Sequence, residues 1–307
     1  MDVLIIGSVA YDSVSSPEGA VENALGGSAT YAGLSAAFHD SLRNGGGVGL
    51  VGVVGNDFSD DDYKTLSTAG LDISGLEVAD GPTFRWSGSY HGNMGEAQTH
   101  ETHLNVFEHF QPKVPEGSRT PKVTFCANLH PALQASVVDQ TEPTRCTILD
   151  SMNLWIDIAL DDLRKVMSRV DLVVLNDGEI RMLAGDENLV RAAHTVREEM
   201  GGGILVVKRG EHGVLALHPD GMIALPAYPT ATVVDPTGCG DTFAGTLSSL
   251  LAAGDGEISR DELQNALLHA TVTASFTLMS FGVGAIANLK PEHYQERLES
   301  FKRIIGV

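Results

Sequence analysis

Basic residues are what this chain has least of. Its 307 residues carry 20 Lys and Arg against 40 Asp and Glu, a net charge of −20. Such a surface repels nucleic acid and anionic lipid, so neither nucleic acid nor membrane is expected as a partner. It equally repels an anionic substrate. A phosphate site in this chain has to be built locally, from backbone amides, a metal ion and a few placed cations. Cysteine is scarce too. Cys126, Cys146 and Cys239 make an odd count with no CxxC pair, which speaks against a disulfide framework or a structural zinc and fits a reducing cytoplasm. No basic segment precedes the short apolar run Val3–Ile6, so the start reads as a strand rather than a signal peptide. The one long uncharged stretch, Ala270 to Leu289, is broken by Thr271, Thr273, Ser275, Thr277 and Ser280 and then by Gly282 and Gly284. It reads as a buried core helix ending at glycine, not as a membrane span. There is no GxxxxGK[ST] phosphate loop, no internal repeat and no low-complexity tail.

What is present is an ordinary globular composition, with 43% hydrophobic and 20% charged residues. At about 150 residues per domain the length fits one large domain or two smaller ones. Short, nearly continuous apolar runs recur at Val3–Ile6, Val48–Val54, Val123–Ala127, Cys146–Leu149, Leu172–Leu175 and Ile204–Val207. Strands covered on both faces look like this. Helical patterns lie between them at Ser28–Leu42, Ser59–Thr68, Asp157–Met167 and Leu189–Met200. The last third is largely helical, over Cys239–Leu250, Arg260–Phe281 and Pro291–Ile304. The alternation predicts an α/β domain with a parallel sheet and helices on both faces. Residues 80–112 break the rhythm. Thr83–Tyr90 alternates and is β-prone, Thr99–Val106 is a partner for it, and Tyr11–Val21 is a further contributor. These segments read as a β flap standing off the main sheet.

Gly47–Gly52 matches GxGxxG, but a helix precedes it and the motif is itself a strand, so a dinucleotide site and an NAD-dependent oxidoreductase are disfavoured. Asp235-Pro236-Thr237-Gly238-Cys239-Gly240-Asp241 carries more. A β-prone lead-in and an apolar helical sequel place the glycines at a helix N-terminus, where outward amides bind an anion. Asp241 would then sit beside that anion, an unfavourable place for a carboxylate unless it accepts a proton from an attacking hydroxyl. The plainer alternative is a glycine turn with an Asp at the helix dipole. His91, His100, His103 and His109 cluster in the flap without cysteine partners and read as solvated side chains.

The segment from Asp235 to Asp241 resembles the second signature of the PfkB carbohydrate kinases of the ribokinase-like superfamily, with Pro236 and Cys239 where Thr and Ala are usual. The resemblance runs along the chain. Gly26-Gly27 before a helix, Asp12 after the first strand, Asn176-Asp177-Gly178-Glu179 at a strand end and Gly210-Glu211-His212-Gly213 match further family motifs in order. It implies a single domain, 1–307, with a three-layer α/β/α body, a mostly parallel sheet and a small β-sheet lid from about 10–24 and 79–112. It implies an ATP-dependent kinase that phosphorylates a hydroxyl of a small neutral sugar or nucleoside, with a non-catalytic metabolite-binding protein of the same fold as the alternative. Asp241 would be the base, and the amides of Gly238, Cys239 and Gly240 the phosphoryl cradle. Asn176 and Glu179 would organise Mg²⁺ through water. Lys208, Gly210, Gly213 and His269 would line the ATP site. Asp12, Gly26, Gly27, Tyr31, Asn128 and Asn153 would face the acceptor. Asp235, Thr237, Ser280 and Gly282 stand where many members bind a monovalent cation such as K⁺. The lid also serves as a homodimer contact in many members.

Two departures bear on the acceptor. Ala10 and Tyr31 stand where ribokinases carry asparagines, and Trp155 stands where an Arg often holds a phosphosugar. Ribose and phosphosugars are therefore disfavoured, while Tyr31, Trp86 and Trp155 offer flat apolar contact to a base.

Overall fold

Val3–Ile6, four apolar residues in a row, has both faces covered, and everything else is laid out around it. The computed structural model describes residues 1–307. The strands are β1 (Val3–Ile6), β2 (Ala10–Ser16), β3 (Gly19–Gly26), β4 (Val48–Gly55), β5 (Leu71–Ala79), β6 (Phe84–Tyr90), β7 (Ala97–His103), β8 (Val123–Cys126), β9 (Cys146–Asp150), β10 (Leu172–Asn176), β11 (Ile204–Lys208), β12 (Val214–His218) and β13 (Gly221–Leu225). The helices are α1 (Ser28–Leu42), α2 (Asp60–Thr68), α3 (Pro131–Gln140), α4 (Asn153–Ile158), α5 (Leu160–Met167), α6 (Asp177–Ala184), α7 (Leu189–Glu199), α8 (Cys239–Leu251), α9 (Arg260–Thr277), α10 (Gly284–Ala287) and α11 (Pro291–Ile305).

Nine strands form the main sheet in the order β13-β12-β11-β10-β9-β8-β1-β4-β5. The seven from β11 to β5 are parallel, and the two outer strands β12 and β13 are antiparallel. Side chains of one strand alternate between two cores. Leu172 and Val174 of β10 pack with α1, α8 and α9, whereas Val173 and Leu175 pack with α5, α6 and α7. Burial on both faces is why these strands are uniformly apolar. The second sheet, β3-β2-β6-β7, stands apart as the lid; β2 leaves the end of β1, and β3 returns into α1 through Gly27.

Three details differ from the sequence reading. The hairpin β12–β13 and strand β5 are not among the expected strands, although β12 is buried at every residue. The helix expected over 157–167 is two helices, interrupted at Ala159, whose φ of −142° lies outside the helical range. The flap strand expected over 99–106 runs over 97–103 instead, and Asn105–His109 is a 3₁₀ turn.

The chain goes from β1 to β4 on one side and later returns to β8 on the other. Ligand crevices in such sheets open at the carboxyl ends of the strands where the order reverses. At that edge Ser8 and Ser28 bond each other's backbone amides, at 3.0 and 3.1 Å. The same edge carries Asn128, Asp150, Asn176 and Lys208 at or just beyond the ends of β8 to β11.

Candidate active site

Five of the eleven α-helices begin on a side-chain cap. Ser59, Asn176, Asn188 and Ser259 each accept an amide of the first turn. Helix α8 does not. Its N-cap is Gly238, at φ 74°, with no side-chain acceptor. A left-handed glycine turns the backbone so that amides face the crevice. Cys239 N–H folds back onto Pro236 O at 3.2 Å, but Gly238 and Gly240 N–H have no acceptor within the chain. Of the three residues expected to form a cradle, two thus offer an unpaired amide. The Cys239 amide closes the turn instead, and its thiol points to Ala274 O at 3.7 Å. Burial, with Asp235 and Asp241 near, pushes that thiol up and overrides the helix N-terminus, so it is not a thiolate.

Asp241 follows in the first turn of α8. Burial and then Asp150 raise its carboxyl to about 6, against the pull of Lys208. Asp150 closes β9 and Lys208 closes β11, with β10 between them, and their side chains meet at 2.7 Å. Burial opposes the Lys208 ammonium, yet Asp150, Glu179 and Asp241 hold its pKa above the ordinary value. Burial also raises Asp150 against the pull of Lys208, so both partners shift upward. The contact distance and the number of carboxylates around one ammonium make the charged pair the state we adopt.

On the acceptor side, the Asp12 carboxyl lies over Gly26, close enough that a Cβ there would collide with it, and accepts the Gly27 amide. Burial raises it to about 7, with Asp235 and Asp241 adding to the shift. Asn128 accepts the Trp155 indole N–H at 2.8 Å and donates to Met152 Sδ at 3.1 Å. Asn153, also expected at the acceptor, is exposed and turned onto the Leu154 amide. Tyr31 is a second correction. It is 1% exposed, and its ring is wedged behind Gly238, where any Cβ would fall inside it. With that face taken, the ring is no platform for a base.

Asn176 and Glu179 form a capping box at α6. Asn176 Oδ1 accepts the Glu179 amide at 2.8 Å, and the Glu179 carboxylate accepts the Asn176 amide and Nδ2, both at 2.7 Å. Burial raises Glu179 to about 7. Gly210 and Gly213, both at positive φ, close the turn from β11 into β12 beside Lys208. Asp235 Oδ1 accepts the Thr237 amide at 2.9 Å, and its carboxylate also takes the Gly282 amide. Ser280 Oγ accepts the Ala285 amide at 3.2 Å. His269 lies elsewhere. Its Nδ1 is bonded to Tyr294 and its ring packs against His39, in the seam of α9 with α1 and α11. Burial of the seam takes it away from the nucleotide role expected for it.

Sequence reading missed two members of the site. One is Asp150, although an apolar strand ending in Asp, matched by another ending in Lys, was the available signal. The other is Tyr90 at the end of the lid strand β6, whose hydroxyl meets Thr237 Oγ1 at 3.2 Å and ties lid to turn. The flap histidines stay at the surface, and no group of three or more His, Cys, Asp or Glu gathers to hold a metal ion. No helix is long and apolar enough to cross a membrane.

Comparison with known proteins agrees with this arrangement. Residues 126–290 match the model of the pfkB family carbohydrate kinases. The chain is 32% identical over 260 residues to a cytidine kinase of Thermococcus kodakarensis, covering 80% of this chain and 86% of that protein. The fold superposes on the nucleoside kinase of Methanocaldococcus jannaschii with a TM-score of 0.76 at 18% identity, over 98% of this chain and 99% of that one. It superposes on a Burkholderia thailandensis nucleoside kinase in complex with inosine with a TM-score of 0.73 at 20% identity, over 97% and 98% of the two chains. A glycine turn without a side-chain cap, a carboxylate in its first turn and a β lid tied to it therefore sit in a chain that belongs to the pfkB family of carbohydrate kinases, phosphotransferases that act on alcohol groups.

Proposed function

We propose that this enzyme phosphorylates a nucleoside, with ATP as donor. The observation that carries the reading is the start of α8, where two unpaired amides face a crevice beside a carboxyl poised near neutrality. The likeness to a cytidine kinase over most of the chain supports the acceptor class.

The acceptor lies between Asp12 and the Asn128–Trp155 pair, with its hydroxyl toward Asp241. Asp241 takes the hydroxyl proton as the oxygen attacks the γ-phosphorus. The bond from that phosphorus to the bridging oxygen breaks, and ADP leaves with the electron pair. The amides of Gly238 and Gly240 hold the phosphoryl oxygens in flight. The lid, tethered through Tyr90, keeps water out. Glu179 with Asn176 would hold Mg²⁺ through its water shell, and the ion would supply charge neutralisation there. K⁺ beside Asp235, Thr237, Ser280 and Gly282 would have to use main-chain carbonyls, because the Asp235 and Ser280 side chains already accept amides. We further place the enzyme in the cytoplasm, on its three free cysteines, and as a homodimer through the lid, whose outer strand β7 is exposed along its whole length.

The test is ADP release across nucleosides and ribose. A nucleoside is expected to exceed ribose in kcat/KM by tenfold or more, and a tenfold advantage for ribose would overturn the acceptor assignment.

A further inference from the structure

We propose that the Asp150–Lys208 pair is a charge clamp for phosphoryl transfer: Lys208 takes up charge on the transferring group, and Asp150 is the positioning residue that aims it. The proposal deepens the reading above and rests on it.

The geometry is specific. The Lys208 ammonium lies 3.0 Å from where a Cβ on Gly240 would stand, so it rests on the same uncapped turn that offers its amides. A Cβ at residue 240 would crowd the ammonium in that place. The pair spans the end of β10, with side chains 18% and 4% exposed. A long flexible amine is thereby fixed at one point before any substrate arrives. Lys208 is also the one cation acting on Asp150, Glu179 and Asp241 alike. In a chain of net charge −20, a triphosphate entering this crevice meets those carboxylates with a single ammonium to offset them. A buried ammonium of this kind acts on developing charge without reorganising.

Asp150 does not reach the reacting atoms by any contact seen here. Its Oδ1 accepts the Ser151 amide at 2.8 Å and its Oδ2 holds Lys208. Its role is to fix the amine. The charged and titratable groups acting around the base Asp241 are Asp150 from β9, Lys208 from β11, Asp12 from β2, Tyr31 from α1, and Asp235 and Cys239 beside the turn. Of these, Asp150 and Lys208 push the carboxyl in opposite directions.

That opposition supplies the test, read on pH profiles of kcat/KM for a nucleoside with saturating ATP. Lys208→Met should lower kcat by about 10²–10³, the scale of losing one preorganised charge-stabilising group, and move the acid limb of the profile to higher pH. Asp150→Asn should raise KM for ATP and move the acid limb to lower pH. Lys208→Arg should recover at least tenfold over Lys208→Met. Limbs that do not move, or that move together, would overturn the clamp, as would Lys208→Met with kcat within threefold of wild type. If Lys208→Met fails to fold, the limb of Asp150→Asn and the activity of Lys208→Arg decide between the same outcomes. A wild-type enzyme inactive on every nucleoside would instead overturn the acceptor reading; the same profiles taken with whichever alcohol is turned over would then decide the clamp.

Discussion

The ring of Tyr31 lies against the α-carbon of Gly238, leaving no room there for even a methyl group. A helix from one end of the chain thus supports, from behind, the turn proposed to hold the phosphoryl group. Tyr31→Ala removes that support and opens a cavity, and urea denaturation should show a loss of about 3–5 kcal/mol, as for other buried aromatics. Tyr31→Phe keeps the ring and should stay within about 1 kcal/mol of wild type. In a correctly folded Tyr31→Ala sample kcat should fall more than KM for ATP rises, because the turn loses its shape while its amides remain.

Asp241→Asn should lower kcat by about 10²–10⁴ while leaving ATP binding intact, measured by steady-state kinetics and by titration with a non-hydrolysable ATP analogue. The wild-type profile has a matching sign. With the folded carboxyl raised to about 6, the base is protonated below that pH, so kcat/KM should climb between pH 5 and 7 and then level. A flat profile across that interval would remove Asp241 as the base.

Glu179→Gln turns one acceptor of the capping box into a donor that faces the Asn176 amide or its Nδ2. Thermal unfolding should report a loss of about 1 kcal/mol for the damaged cap. Half-maximal activity should also require several-fold more Mg²⁺. A stability loss with unchanged Mg²⁺ dependence would reduce Glu179 to a cap alone.

Acid should weaken the seam of α1 and α9. His39 is 4% exposed and bonded to Thr273 at 2.8 Å, and burial lowers its pKa from 6.5 to about 3. The unfolded chain therefore binds a proton that the folded one refuses. The contribution is fully present above pH 6.5 and fades as pH falls toward 3, at about 1.4 kcal/mol per pH unit. Asp12 and Glu179, each raised to about 7, act the other way between pH 7 and 4. Removing the titration with His39→Gln should change the slope of stability against pH, measured in urea between pH 4 and 7, so that the variant gains on wild type as pH falls. An unchanged slope would show that His39 does not carry it.

Features encoded within a few neighbouring residues were legible in the sequence. The apolar runs gave the buried strands, the order Gly-Cys-Gly-Asp gave the turn, and Asn176 with Glu179 gave a helix start. Features that depend on which distant side chains meet were not. Asp150 and Lys208 pair across an intervening strand, and no spacing along the chain announces that. Tyr31 sits at a family substrate position, but its direction is set by how α1 packs on α8, so it faces the turn instead. His269 has the residue type for a nucleotide contact, yet its place on α9 turns it toward Tyr294. Strand β13 escaped because only one of its five residues is buried, whereas β12, an apolar run like the others, was legible in principle.

The chain has two tryptophans, and the fold sets them in different parts of the molecule. Trp86 lies on the lid strand β6, and the Trp155 indole is hydrogen-bonded to Asn128 beyond the end of β8. The protein therefore carries two built-in optical reporters. Trp155→Phe leaves emission from the flap, Trp86→Phe leaves emission from the crevice proposed to take the acceptor, and stopped-flow traces of the two variants would order changes at the two places in time without an added label.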